Sequence, residues 1–258
     1  MSLARTHARG NNLPMCGRFT RKYTWRQVHE FLNLVFPAGQ LPEQGELAPS
    51  FNVAPAQNVL VLQATAREAS GATSTQPTHL EFAWLRWGFV PAWSKDPRKY
   101  WINARSETAG ELPAFRDAFA KRRCVIPASG FYEWRVLPGA KQPEYITVAG
   151  AEIMCFAGIW EVHRAKDETG ALRDVATCAI MTTRPNEFMG RVHDRMPVIL
   201  APQDARHWIE GGDLARLAEP SPLQLQSHAV SPRVNAVKAD HASLMEPWTP
   251  DVPPSLFG

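Results

Sequence analysis

The sequence predicts an α+β protein built on a curved, barrel-like and mostly antiparallel β-sheet core surrounded by helices. Three observations lead there. Short apolar runs rich in β-branched and aromatic residues recur between Val59 and Leu200. Helical spacing appears among them only at irregular intervals, so the strand–helix alternation of a doubly wound parallel sheet is missing. No GxGxxG, GxxxxGKS/T or HExxH occurs in the 258 residues, which removes the dinucleotide-binding, P-loop and zinc-protease readings.

Along the chain, Thr24 to Phe36 has helical apolar spacing with Thr24 as its cap, and the Pro- and Gly-rich stretch up to Ser50 reads as a loop. Val59 to Leu62 reads as a buried strand and Leu80 to Trp87 as the next. Between them, Ala66 to Thr78 is a hairpin loop or a flexible insertion. Ser106 to Arg122 reads as a helix interrupted at Pro113. Strands then dominate: Cys124 to Ile126, Phe131 to Val136, Tyr145 to Val148, Ile153 to His163, Val175 to Thr182 and Val198 to Leu200. Pro202 to Glu210 and Leu214 to Ala218 read as short helices.

A hydrophobic content of 45% can fill one sizeable core. We expect a single domain over residues 15–247, an extension over 1–14, and a poorly ordered, proline-containing tail over 248–258. No run approaches the roughly 18 apolar residues of a membrane span, and MSLARTHARGNNLP lacks the apolar stretch of a secretory signal. The expected location is cytoplasmic. Of the cysteines at 16, 124, 155 and 178, the last three lie in apolar strand-like runs and read as core residues. Cys16 differs, because it sits in MCGRFT beside Arg18. A net charge of +3 suits a nucleic-acid partner without requiring one. Several of the nine tryptophans stand beside cations, as in Arg86-Trp87, Arg98-Lys99-Tyr100-Trp101 and Trp134-Arg135. Such interleaving fits a groove that stacks bases and holds phosphates, and the competing reading is core packing.

Six segments are rich in polar and aromatic groups where packing asks for neither: MCGRFT (15–20), FNVAPAQ (51–57), WGFVPAW (87–93), NARSET (103–108), IPASGFYEW (126–134) and HDRMP (193–197). Singly, Asn103, Glu133 and His193 also read as an ordinary amide, a surface carboxylate and a core imidazole. Together and in this order, from Met15 to about Pro247, the six segments resemble the SOS-response-associated peptidase (SRAP) family, whose members include abasic-site cross-linking proteins. The resemblance implies an SRAP-like fold and a role in the DNA damage response. It also implies that Cys16, exposed as an N-terminus by loss of Met15, bonds covalently to abasic sites in single-stranded DNA. Asn103, Glu133 and His193 match the family's other active-site residues. Arg18 and Arg105 match its phosphate-holding arginines, and Asn52, Pro55, Trp87 and Trp134 its groove lining. Val230, Ser231 and Asn235 fit a structural C-terminal pattern. No metal or organic cofactor is implied; the expected partner is single-stranded DNA, with no membrane, and the expected state is a monomer.

The chemistry has its own logic. An open-chain abasic site presents an aldehyde, and an N-terminal cysteine offers an amine and a thiol on adjacent carbons. An α-amine with a pKa of about 7.7–8.0 is partly neutral near pH 7, so it forms an imine without extreme tuning. The thiol then closes on the imine carbon to give a thiazolidine. Arg18 and Arg105 are expected to favour thiolate character. Sugar opening and carbinolamine dehydration both need proton transfer, for which Glu133, among aromatics that should raise its pKa, and His193 are the candidates. Asp194 either orients the His193 ring or faces solvent. Asn103 is expected to bond the sugar or the amine.

Two other readings stand beside this one. A cysteine peptidase would use the same residues, with Cys16 as nucleophile and Glu133 or His193 as base, whereas a non-enzymatic single-strand-binding module would keep the Arg and Trp residues and leave Cys16, Glu133 and His193 without a task. The 14 residues ahead of Met15 depart from the family pattern. Translation starting at Met15, a removable propeptide, or residues added for expression would each account for them; the first is our expectation.

Overall fold

Alternation of apolar side chains gives each strand two faces, and here both faces of the central strands are buried, so the sheet must be covered on each side. The computed structural model describes residues 16–32, 47–64, 80–166, 169–211 and 222–249. Five strands close into a ring: β3 (Asn58–Ala64), β4 (Leu80–Trp87), β6 (Arg123–Ala128), β9 (Met154–Lys166) and β10 (Leu172–Thr183). Antiparallel pairings run β4–β3, β3–β6, β6–β9 and β9–β10. Closure is parallel, with Thr177 of β10 opposite Arg86 of β4 and Cys178 opposite Trp87. The result is a closed, mixed barrel, as the α+β expectation required. The end of β10 also holds two short strands: β5 (Asn103–Arg105) lies parallel to it and β11 (Met196–Pro197) antiparallel. β12 (Ile199–Leu200) pairs with β9.

A second sheet has five strands in the order β13 (Leu225–Ala229), β8 (Ala140–Val148), β7 (Gly130–Leu137), β1 (Arg18–Arg21) and β2 (Ser50–Val53). Side-chain parity sorts the core. Leu60, Leu62, Val125, Ala157 and Ala179 pack with the helices α1 (Trp25–Phe31), α2 (Arg116–Lys121) and α3 (Pro202–Ile209). Val61, Ile126, Phe156 and Cys178 face the other way and pack with Phe19, Phe131 and Ile146 of the second sheet. That second cluster contains Cys16 and Trp87.

The α1 cap is as expected: Thr24 and Gln27 form a reciprocal capping box. Described helix ends at Phe31, and the rest of the expected helix lies outside the described residues. The expected insertion at 66–78 and helix at 214–218 lie outside them as well. Ser106 to Arg122 is not one interrupted helix. The Ser106 N–H donates to Thr182 O, which extends the β5 pairing, and only Arg116–Lys121 is helical. At the start of the expected tail, the Trp248 N–H donates to Ala229 O, next to the bridge between Val230 and Pro247. Cys124, Cys155 and Cys178 are all fully buried free thiols. No described helix is long and apolar enough to cross a membrane.

Trp87 corrects the expectation that it lines a groove. It is 0% exposed, its indole packs 5.3 Å from the Phe19 ring, and its Nε1–H donates to Ile102 O. Trp87→Ala should therefore lower folding stability by about 3–5 kcal/mol. Urea unfolding measures this, and an unchanged midpoint would contradict the core assignment.

Candidate active site

The Gly130–Trp134 stretch builds the site from below. A Cβ at Gly130 would lie 2.5 Å from the Tyr145 hydroxyl and ring, so only glycine lets these strands approach. β1 pairs antiparallel with β7, setting Phe19 opposite Phe131 and Arg18 opposite Tyr132. This register carries the start of β1 past Glu133. The Cys16 N–H donates to Glu133 Oε1 at 2.5 Å. Cys16 has a left-handed backbone (φ 47°), which turns its amide and thiol toward the carboxylate.

Both groups are almost fully buried, at 3% and 1% exposure. Burial raises the Glu133 carboxyl to about 7, against hydrogen bonds from Cys16 and the Trp134 N–H that favour the anion. The Cys16 thiol is pushed well above its ordinary value, first by burial and then by the neighbouring Glu133 charge. Arg195 opposes this. The expectation that Arg18 and Arg105 promote thiolate therefore needs correction: the thiol is held protonated, and the cation acting on it is Arg195.

Alternation on β7 puts Tyr132 and Trp134 on the opposite face from Glu133. There they pack with Val230, Val234 and Leu244. Arg18 shares that face and is 3% exposed, with Nη1 donating to Asn52 Oδ1 and Val234 O, and Nη2 to Asn235 O. The Asn52 amide donates to Ala236 O and Ala239 O, and Trp134 Nε1–H to Asn235 Oδ1. Arg18, Asn52 and Trp134 are thus a buried lattice that fixes the C-terminal segment, not a DNA-facing groove. Val230 and Asn235 belong to this lattice; Ser231 caps the turn Pro232–Asn235. Pro55 is half-buried beside Ala56, whose left-handed turn is pinned to Trp87 O.

Thr182 of β10 lies opposite Arg105 on one side and Pro197 on the other, so NARSET and HDRMP flank the same strand end. Asn103 is half-buried and Arg105 exposed on one face of β5. Segment 193–195 is near enough to act electrostatically on the Cys16–Glu133 pair: the Asp194 charge raises the Glu133 pKa and the Arg195 charge lowers that of the Cys16 thiol. The Arg195 N–H donates to His193 Nδ1 at 3.1 Å, while Asp194 Oδ1 lies 2.9 Å from the same nitrogen. One nitrogen cannot accept from Arg195 and donate to Asp194 at once. Burial lowers the His193 pKa, and Asp194 is 88% exposed and solvated, so the neutral ring with Nε2–H is favoured. Among the described residues, no group of three His, Cys, Asp or Glu side chains is placed to hold a metal.

Sequence reasoning passed over three features here. Arg195 and Glu107 lie inside the quoted motifs HDRMP and NARSET but were given no role. Trp93, 65% exposed, ends WGFVPAW and, with exposed Tyr100 and Trp101, leaves aromatic surface on the loop between β4 and β5.

Fold and site together define a closed mixed barrel that holds the amide and thiol of one buried cysteine against a buried carboxylate. The chain belongs to the SOS response associated peptidase (SRAP) family, whose model matches residues 15–237. The abasic site processing protein YoqW of Bacillus subtilis is 36% identical over 241 residues, covering 90% of this chain and 99% of that protein. The abasic site processing protein YedK of Escherichia coli is 30% identical over 242 residues, covering 90% and 100%. Among solved structures, a protein from Bacteroides thetaiotaomicron superposes with a TM-score of 0.63 at 23% identity, covering 77% of this chain and 85% of its own. A phage-related protein from Bordetella bronchiseptica gives 0.56 at 28%, covering 83% and 94%.

The raised Glu133 pKa has a stability consequence. The folded state holds this proton more tightly than the unfolded chain, so stability is fully present below about 4.5 and is lost as pH rises to about 7. The loss is about 3 kcal/mol. Glu133→Gln should remove it, so the variant's advantage over the unsubstituted 258-residue chain should grow between pH 4.5 and 7 and then level off. Thermal or urea unfolding across pH measures this; parallel pH dependences would contradict a buried Glu133 proton.

Proposed function

We propose that this protein recognises abasic sites in single-stranded DNA and bonds to them through Cys16 as an N-terminal residue, forming a thiazolidine. The observation that carries the reading is the Cys16 N···Glu133 Oε1 contact of 2.5 Å, at a carboxyl whose pKa is about 7. Relatives named abasic site processing proteins, matched over nearly their whole length, support the substrate.

With the amine free, the same nitrogen meets the same carboxylate. Glu133 takes a proton from the α-ammonium, and the neutral amine adds to the C1′ aldehyde to give a carbinolamine. A proton returned to the carbinolamine hydroxyl lets water leave and the imine form. The Cys16 sulfur then bonds to the imine carbon, and its proton passes to the ring nitrogen. No electrons are gained or lost overall. A protonated resting thiol suits this order, in which nitrogen reacts first, and disfavours a thiolate-first attack on a peptide. His193 Nε2–H serves as the donor that assists sugar opening, and Asn103 holds the sugar. Arg105 and the cationic, aromatic loop between β4 and β5, with Lys95, Arg98, Trp93 and Trp101, track the strand.

As the 258-residue chain is written, Cys16 carries a peptide nitrogen, which cannot form the imine. A chain beginning at Cys16 should form a heat-resistant adduct, without borohydride, on uracil-glycosylase-treated single-stranded DNA. The full chain should form at most a weaker thiol-dependent species, and Cys16→Ser should abolish the stable product. A stable adduct from a chain that keeps residues 1–15 would contradict the mechanism. Arg105→Ala should weaken binding to intact single strands and lower the salt dependence by about one phosphate contact, measured by titration at several salt concentrations.

A further inference from the structure

We propose that Glu107 is a positioning residue for the Cys16 centre, clamping Arg195 so that the segment carrying His193 is locked against the strand carrying Asn103. This rests on the reading of Cys16, Glu133 and His193 given above. Glu107 accepts two parallel hydrogen bonds from Arg195, Nη1 to Oε1 at 2.6 Å and Nη2 to Oε2 at 2.7 Å. Such a fork fixes both planes, which a single contact does not. Both side chains are largely shielded, at 15% exposure for Arg195 and 26% for Glu107, unlike solvated pairs such as Arg164–Asp174 and Arg191–Glu187.

The clamp spans three segments. Arg195 Nη2 also donates to Thr182 O at 2.9 Å and lies 3.3 Å from Thr182 Oγ1. Thr182 O in turn accepts the Ser106 N–H at 2.8 Å, one residue before Glu107. Thus β5, the end of β10 and the segment entering β11 meet at one guanidinium. The backbone of that same arginine donates to His193 Nδ1, so holding Arg195 also holds the histidine's hydrogen-bonding state. Its charge reaches the Cys16 thiol. An unclamped Arg195 would free segment 193–195 from β10, and the His193 ring would gain solvent and lose its fixed acceptor role.

The charged groups facing His193 are Asp194 and Lys141, with the Arg195 N–H on Nδ1. Glu107 is not among them, so a shift in His193 on changing Glu107 reports movement of segment 193–195 and hence the clamp. Nitrogen-15 NMR of the imidazole in the full chain is the direct readout, with adduct formation and intact-strand binding measured on protein beginning at Cys16. Glu107→Gln loses the paired anion and should raise the His193 midpoint toward its ordinary value and mix its tautomers. It should also slow adduct formation about tenfold while leaving affinity for intact single-stranded DNA within twofold. Glu107→Asp keeps the charge and should recover part of both effects; it also covers the case in which Glu107→Gln folds poorly. An unshifted His193 titration in both variants, or a rate loss matched by an equal loss of binding, would overturn the proposal. Absence of any adduct with unsubstituted protein would defeat the cross-linking reading instead, while the NMR comparison would still decide the clamp.

Discussion

The structure turns on one contact, the Cys16 nitrogen against the buried Glu133 carboxylate. An isolated carboxylate in a protein interior is costly, and the protein meets that cost by letting the group titrate near neutrality. A carboxyl half-protonated near pH 7 is able both to give and to take a proton there. Its position follows from strand register. Had β1 slipped by one residue on β7, Cys16 would have met the opposite face of the sheet, where Tyr132 and Trp134 pack.

The second organising element is the end of β10. Parallel closure against β4 leaves the last residues of β10 free to accept β5 on one side and β11 on the other. Two segments remote in sequence are thereby delivered to one place, each carrying a polar side chain of the site. The barrel supplies the frame, and the short strands added to its rim carry or follow the candidate site residues Asn103 and His193. The same division explains the C-terminal segment, where Arg18 and Asn52 tie carbonyls of residues 234–239 beneath the five-stranded sheet.

Much of this was legible in the sequence because alternation and burial leave local marks. The long strands from Cys124 onward and the three core cysteines could be read from apolar runs, and the Thr24 cap from the helical spacing that follows it. The motif residues Cys16 and Glu133 stood out, and the direction of the Glu133 pKa shift was legible, although its cause is burial against Cys16 and not Tyr132 and Trp134, which pack on the other face of β7. Other features leave no local mark. A three-residue strand such as Asn103–Arg105 exists only because β10 is there to pair with. Arg18 and Trp87 look like nucleic-acid ligands in sequence, and only tertiary packing shows that one bonds carbonyls and the other fills the core. The Glu107–Arg195 fork likewise joins charges that periodicity treats as solvated.

The central claim is that nitrogen and sulfur of one cysteine both bond to the sugar carbon. Intact-mass analysis of the conjugate between a chain beginning at Cys16 and an abasic oligonucleotide tests this most directly, with peptide mapping of the modified residue. The account predicts a mass equal to the two components less one water, placed on Cys16 and unchanged by borohydride, which would add two hydrogens to an open imine. A mass equal to the full sum, as a thiohemiacetal gives, or modification at a lysine, would contradict it.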